Sequence, residues 1–298
     1  MMNVCIADNI DADLHCHTTA SDGKRTPEEL VELAVHKGLA AIAVTDHDTL
    51  GGIAAAAERE KSHHGRLKVI PGIELNTEWR GTEVHILGYE IDPASELLRE
   101  RLQTLRDYRK KRAAAIIAKL NQLGVPLSLE QVWANVRGDS LGRPHIAQTL
   151  VQCGYASDPS EAFRRYLGKD APAYIPSSKV SPEEGIQLIR AAGGVPVLAH
   201  PGKNPFAEAL PHWIGAGLQG IEVFHTDHDK SDEKRWRRLS GQYRLLGTGG
   251  SDYHGLETKH GGDLGGKGVR YAVVLEIQRQ ARQNKKLLGK DKDQDKYD

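Results

Sequence analysis

The sequence predicts an α/β fold: a closed parallel barrel that carries a helical insertion. Three observations predict it. Short apolar runs alternate with helical segments toward both ends of the chain, residues 95–180 between them show almost no strand signal, and histidines and acidic residues recur where the apolar runs end. Seven or eight strands separated mostly by helices suit a barrel, whose working residues sit at the C-terminal ends of its strands. An open doubly wound sheet is the alternative arrangement of the same alternation.

The elements follow in order. A strand over residues 10–15 ends in His15-Cys16-His17. A helix begins after Thr26, a natural N-cap, with Pro27 at its first position and Glu28 and Glu29 in its first turn. It ends near Gly38. Residues 40–45 form a second strand ending in Asp46-His47-Asp48, and a helix covers 53–61. A third strand over 68–73 ends at Glu74, and a fourth over 83–91 carries His85. One long helix over 94–123 and shorter ones over 128–136, 144–152 and 159–167 make an insertion at 94–180. It divides the barrel into 10–93 and 181–282. The alternation returns with a helix over 182–192, a strand over 195–199 ending in His200 and a strand over 220–224 ending near His225. A strand over 244–248 precedes Ser251-Asp252-Tyr253-His254, and a last strand covers 269–275. The tail, 283–298, is rich in Lys, Asp and Gln and is expected to be disordered.

Bulk properties narrow the class. The chain has 298 residues, enough to bury a real core as one large α/β domain or two small ones. Hydrophobic residues make up 39% and charged residues 27%, which fits a globular protein and not a disordered one. No apolar run approaches the ~20 residues of a membrane span, and the N-terminus lacks the basic start and apolar core of a secretory signal. Cys5, Cys16 and Cys153 are scattered and odd in number, which points to a reducing, cytoplasmic setting without disulfides. Net charge is zero, so partners must be read from local charge. No obligate protein partner is evident.

The 14 histidines are the unusual count, and many stand beside an acid. In a strand, residues two apart face the same side, so His15 and His17 can share one metal while Leu14 and Cys16 pack the other way. A lone His-x-His is a weak signal. Asp46-His47-Asp48, Glu74, His200, Asp252 and His254 add donors at further strand ends. Five such places are hard to explain as satisfied core histidines. Mixed imidazole and carboxylate donors suit Mn, Fe or Zn better than Mg or Ca.

The strings DLHCHTTASDG, TDHDT, PGIE, VHILGY, LAHPG and GSDYHG, in that order, resemble the polymerase-and-histidinol-phosphatase (PHP) family of metallophosphoesterases. The resemblance runs from about residue 11 to residue 275. It implies a distorted (β/α)7 TIM-like barrel holding two or three divalent metals. Carried over motif by motif, the first metal would take His15, His17, Glu74 and Asp252. The second would share Glu74 and add His85 and His200, and the third would take Asp22, His47 and His254. The resemblance favours Mn2+, with Zn2+ or Fe2+ as alternatives. Asp46 and Asp48 are expected to orient His47, the alternative being helix capping. A hydroxide bridging two metals is the expected nucleophile, so no Ser, Cys or Asp nucleophile is required. No Walker-type loop is present, and the glycines of His260-Gly261-Gly262-Asp263-Leu264-Gly265-Gly266 read as a plain loop.

The insertion bears on substrate. Between Leu97 and Leu120 the long helix carries eight positive residues (Arg99, Arg101, Arg106, Arg109, Lys110, Lys111, Arg112 and Lys119) against Glu100 and Asp107. That is either a solvated face or a phosphate-attracting one. Arg143, in Gly142-Arg143-Pro144-His145, stands at the start of a helix, where an anion also meets free backbone N–H groups. The strings GRPHIA and EAFRRYLGKDAPAYIP are similar to the PHP subgroup acting on nucleoside 3′,5′-bisphosphates and 5′-phosphorylated oligonucleotides. Its members combine bisphosphate phosphatase activity with a 5′-to-3′ exoribonuclease activity that trims ribosomal RNA. Lys169 and His225 fall within matching segments; His225 is also the candidate general acid. No base-reading group and no RNA-stacking motif is evident, so little base specificity is expected. Two other functions remain open: a PHP phosphatase of a small metabolite such as histidinol phosphate, and a non-catalytic metal- or RNA-binding module.

Overall fold

A computed structural model describes residues 10–136, 138, 141–176, 180–202, 204–255 and 262–294. Cys5, His260, Gly261 and residues 295–298 lie outside them. The chain divides into two compact units, 1–99 with 180–298, and 100–179. No helix among the described residues is long and apolar enough to cross a membrane.

In chain order the elements begin with β1 (Ala12–Cys16), α1 (Pro27–His36), β2 (Ala41–Val44), α2 (Ile53–Lys61), β3 (Lys68–Trp79) and β4 (Thr82–Tyr89). Then come α3 (Glu96–Gln122), α4 (Leu129–Trp133), α5 (Arg143–Gln152), α6 (Pro159–Ala162) and a π-helical turn over Phe163–Leu167. The chain closes with α7 (Pro182–Ala191), β5 (Val195–Leu198), α8 (Leu210–Ala216), β6 (Gly220–His225), α9 (Lys230–Tyr243), β7 (Leu246–Gly250) and α10 (Tyr271–Gln294).

The first unit is a seven-stranded sheet in sequential order. Strands β1 to β3 run parallel, as do β5 to β7, but β4 is antiparallel to both neighbours. The expected all-parallel barrel is corrected at this strand. Only Arg80 and Gly81 join β3 to β4, and both hold left-handed backbone, at φ 50 and 80. Two residues can close a hairpin in that conformation, whereas a parallel return needs a dozen or more. The reversal brings His85, near the start of β4, opposite Asn76 in the outer half of β3.

The sheet curls into a nearly closed barrel. The segment after β7 meets β1: the His17 amide donates to the Tyr253 carbonyl (2.9 Å) and the Tyr253 amide to the His15 carbonyl (3.2 Å). Gly250 approaches His15 so closely that a Cβ there would lie 2.4 Å from the His15 backbone nitrogen, so only glycine fits. Buried Asp13 latches the seam. It accepts from the His15, Ser251 and Gly265 amides and from the Ser251 hydroxyl.

The helices follow local rules. Thr26 and Glu29 form the capping box that starts α1, which buries Leu30, Val31 and Ala34. The expected strand over 269–275 is not one. Val269 alone pairs with Ala12, and a helix starts at Tyr271. Its buried Val273, Val274, Ile277 and Ala281 recur at helical spacing, which outweighs the β-branched composition. This helix continues to Gln294, so residues 283–294 are helical where disorder was expected. Asn284 explains the extension: it is buried, donates to the Gly194 carbonyl and exchanges two hydrogen bonds with Gln219.

The second unit is helical and has its own core, including Ile116, Leu120, Val132, Ile146, Leu150 and Leu167. Two of the eight basic residues counted on α3 are tied inside this unit. Arg112 donates twice to the Ile175 carbonyl and Lys119 to that of Tyr174.

Candidate metal centre

The described structure brings all nine predicted ligand positions together within the first unit. Glu74, fully buried on β3, is the hub. Its Oε2 lies 3.2 Å from His15 Nε2, 3.2 Å from His17 Nε2 and 3.1 Å from His47 Nδ1. Its Oε1 lies 2.8 Å from His85 Nδ1 and 3.0 Å from His200 Nε2. The two carboxylate oxygens therefore address two different sets of imidazoles.

Three donor groups result. The first is His15, His17, Glu74 and Asp252, with Asp252 Oδ1 3.3 Å from His15 Nε2 and 3.0 Å from His17 Nε2. The second joins Glu74, His85 and His200, the two imidazole nitrogens standing 3.2 Å apart; His47 also reaches Glu74 and His85. The third is Asp22, His47 and His254, with His17 added; Asp22 lies 3.3 Å from His254 Nε2 and 3.8 Å from His47 Nε2. Asp252 holds its place with left-handed backbone, φ 56, a strained conformation for a non-glycine residue.

These residues fit divalent cations. His15 Nε2, both nitrogens of His17 and Glu74 Oε2 are buried and have no hydrogen-bond partner. Buried polar atoms left so cost stability unless another partner takes them up. Their neighbours stand at ion-pair distance but without hydrogen-bond geometry, an arrangement suited to lone pairs converging on a cation.

The charges tell the same story. Burial opposes charge on His17, yet Asp252 and Glu74 outweigh it and raise its pKa to about 10. Burial likewise opposes charge on His85, and Glu74 and Glu83 raise it to about 10. Burial works against ionised Glu74 too, but His47, His15 and His85 hold it well below the usual carboxylate range. In the metal-free chain, protons on imidazoles balance the buried carboxylates, and cation binding must displace them.

Glu222 was missed in the sequence. It lies fully buried on β6, its Oε1 3.0 Å from His15 Nδ1 and its Oε2 accepting from the His200 amide at 2.8 Å. A carboxylate can only accept here, so His15 keeps a proton on Nδ1, and Nε2, facing Glu74 and Asp252, is the nitrogen that would give its lone pair to a cation. Asp48 accepts from the amide and side chain of Asn76, whose Nδ2 stands 3.4 Å from His47 Nδ1. Asp46 differs from expectation. Its carboxylate takes the Thr18 amide and the Thr18 and Ser21 hydroxyls, so it orders the loop leading to Asp22 and not His47.

His225 ends β6 with Nε2 buried, 3.5 Å from Asp252 Oδ2. In the second unit, Arg143 opens α5, donates to the Leu167 carbonyl at 3.2 Å and lies over the rings of Phe163 and Tyr174. Lys169 is exposed in the same unit.

Fold and centre together define a class: an α/β barrel that gathers at its strand ends His, Asp and Glu clusters able to bind metal. The PHP domain description matches residues 13–126. The 5′-3′ exoribonuclease Rnm of Escherichia coli strain K12 is 35% identical over 247 residues, covering 81% of this chain and 84% of its own. The 3′,5′-nucleoside bisphosphate phosphatase of Chromobacterium violaceum is 33% identical over 264 residues, covering 85% and 92%. A solved Bifidobacterium adolescentis structure described as a metal-dependent phosphoesterase superposes with a TM-score of 0.79 at 34% identity, covering 90% of this chain and 96% of its own. The chain belongs to the PHP family of metal-dependent phosphoesterases.

Proposed function

We propose that this phosphoesterase removes the 3′-phosphate of nucleoside 3′,5′-bisphosphates and releases 5′-nucleotides one at a time from the 5′ end of short RNA or DNA, ribosomal RNA ends among them. One observation carries the phosphoester chemistry: Glu74 offers one oxygen to His15 and His17 and the other to His85 and His200. Such a bridging carboxylate suits a multi-cation centre. His15, His17, Asp22, His47, Glu74, His85, His200, Asp252 and His254 would hold the ions, with Mn2+ as the favoured one. Bound divalent cations acidify water and neutralise charge on phosphate oxygens.

The protein's own groups do the rest. Glu222 keeps the His15 Nε2 lone pair aimed inward, and the Asp46 carboxylate fixes the loop that presents Asp22. Burial opposes charge on His225, but Asp252 and Glu222 outweigh it and raise its pKa, so the charged ring has a proton to give from Nε2. That proton faces the Asp252 side and is the one assigned to the leaving 3′-oxygen. Arg143 and Lys169 are assigned to the 5′-phosphate, for which a guanidinium fork is well shaped. The bond that breaks then lies at the phosphorus on the 3′-oxygen of the nucleotide held by its 5′-phosphate. A terminal phosphate and a continuing chain would be cut alike, and both relatives' names fit that single reading.

The test is phosphate release from adenosine 3′,5′-bisphosphate in the presence of manganese, compared with adenosine 3′-monophosphate. A clear preference for the bisphosphate is expected. Equal rates would remove the 5′-phosphate grip, faster turnover of histidinol phosphate would replace the substrate class, and metal binding with no hydrolysis would leave a binding module.

A further inference from the structure

The solvent face of α9 is rich in basic residues. Lys230, Lys234, Arg237, Arg238 and Arg244 are all exposed. They stand four, three, one and six residues apart along the helix and its C-cap, a span of about 21 Å at the helical rise. None of the five forms an ion pair among the described residues; Arg237 lies over the Phe224 ring. The acids of the helix are withdrawn from this face: Asp232 is buried, and Glu233 is bound to Lys267 at 2.5 Å. Asp229 accepts from the Ser231 and Asp232 amides as the N-cap, and it and Asp227 are the exposed acids beside the start of the stripe. Several surface cations elsewhere are matched, as Arg59 is by Glu32, Lys61 by Glu58, Lys37 by Asp263 and Arg279 by Glu276. In a chain whose charges sum to zero, α9 and its C-cap thus present five exposed basic residues in a row along one side.

Position adds the second argument. Helix α9 follows β6 directly, and β6 ends at His225, whose Nε2 is 3.5 Å from Asp252. Lys230 therefore opens the helix five residues beyond this strand end, and the stripe continues along the chain from there.

We propose that the α9 stripe binds the phosphate backbone of a single-stranded RNA downstream of the nucleotide being removed. The proposal rests on the exonuclease reading above and deepens it. A mononucleotide bisphosphate ends at the centre and gains nothing from the stripe, whereas a strand that continues 3′ of the cut carries a phosphate per residue to meet it. The contacts are ionic, so they are indifferent to sequence and weaken with salt.

The test uses the manganese-loaded full chain and a Lys234→Glu/Arg238→Glu variant, both residues lying outside the catalytic groups. Binding of 5′-phosphorylated phosphorothioate RNAs of about 3 and about 12 nucleotides is followed by fluorescence anisotropy across salt concentrations, lengths that bracket common single-strand site sizes. The wild type should bind the longer RNA more tightly than the shorter. The variant should lose roughly ten- to a hundredfold on the longer one only, with a salt slope shallower by about 0.7 per phosphate contact removed. Its turnover of adenosine 3′,5′-bisphosphate should match the wild type, which also reports an intact fold. Equal affinity of wild type and variant for the longer RNA, or wild-type affinity that does not grow with length, overturns the stripe. The turnover of bisphosphate by the wild type is decided separately, and its absence would overturn the proposed function while the binding data still judge α9.

Discussion

Replacing Glu222 by glutamine keeps the shape of a fully buried side chain and changes only what it can accept. In the structure two N–H groups converge on this carboxylate, His15 Nδ1 at 3.0 Å and the His200 amide at 2.8 Å. An amide has one oxygen for two donors. If that oxygen stays with the His200 amide, the new NH2 faces His15 Nδ1. His15 must then move its proton to Nε2, the atom that faces Glu74 and Asp252. If the oxygen turns to His15 instead, the NH2 opposes the His200 amide, and the histidine of the second donor group loses its anchor. Either way one site is spoiled. A charge-assisted hydrogen bond contributes about 1.5–3 kcal/mol, and loss of such a partner behind a metal-binding histidine costs about 10- to 100-fold in affinity. The assay is manganese titration of the chelated Glu222→Gln protein against a competing fluorescent chelator, with 15N shifts of the His15 ring reporting the tautomer. Wild-type affinity at every site, with His15 still protonated on Nδ1, would refute the reasoning.

The Glu74→Gln variant should lose bound metal from two of the three donor groups at once, because both oxygens are engaged; elemental analysis showing loss of one ion or none would contradict the bridging role. Stability of the metal-free protein should fall with rising pH. His17 and His85 are raised from 6.5 to about 10 in the fold, so their contribution is whole below 6.5 and disappears as pH climbs through 10. Thermal melts in chelator read this directly, and a melting temperature that is flat or rising over that interval would be inconsistent with it. Arg143→Ala should raise KM for adenosine 3′,5′-bisphosphate by about tenfold or more and leave the 3′-monophosphate unchanged, as expected for losing one charge-assisted contact. Because Arg143 also binds the Leu167 carbonyl, a melting curve must accompany the kinetics.

Much of the barrel could be read from the chain because several of its strands are short apolar runs followed within two residues by a donor. Residues 41–44, before Asp46, and 195–198, before His200, are of this kind. What escaped has physical reasons. The reversal of β4 depends on a turn of two residues, Arg80 and Gly81, which periodicity does not weigh. Helix α9 is mostly polar and reveals itself only through the buried spacing of Asp232, Trp236, Leu239 and Ser240. In α10 the β-branched residues at 273 and 274 speak for a strand, while the wider 273, 277, 281 recurrence decides for a helix. The nine predicted ligands announced themselves by motif. Glu222 did not, since it sits inside the run Gly220-Ile221-Glu222-Val223-Phe224, which reads as core; the available signal was that a charge buried there must have a partner. Asp46 misled because adjacency to His47 in sequence says nothing of where its carboxylate points.

The seam between β1 and the segment after β7 has one further meaning. His15 and His17 stand on one side of it and Asp252 and His254 on the other. A cation held by His15, His17 and Asp252 would work as a clasp on a hoop, fastening the first strand of the sheet to the last. In the bare protein that fastening falls to the Asp13 latch and a few backbone bonds. Loading the centre therefore completes the ring itself, and amides along this seam, such as those of His17 and Tyr253, should be where metal most slows hydrogen exchange.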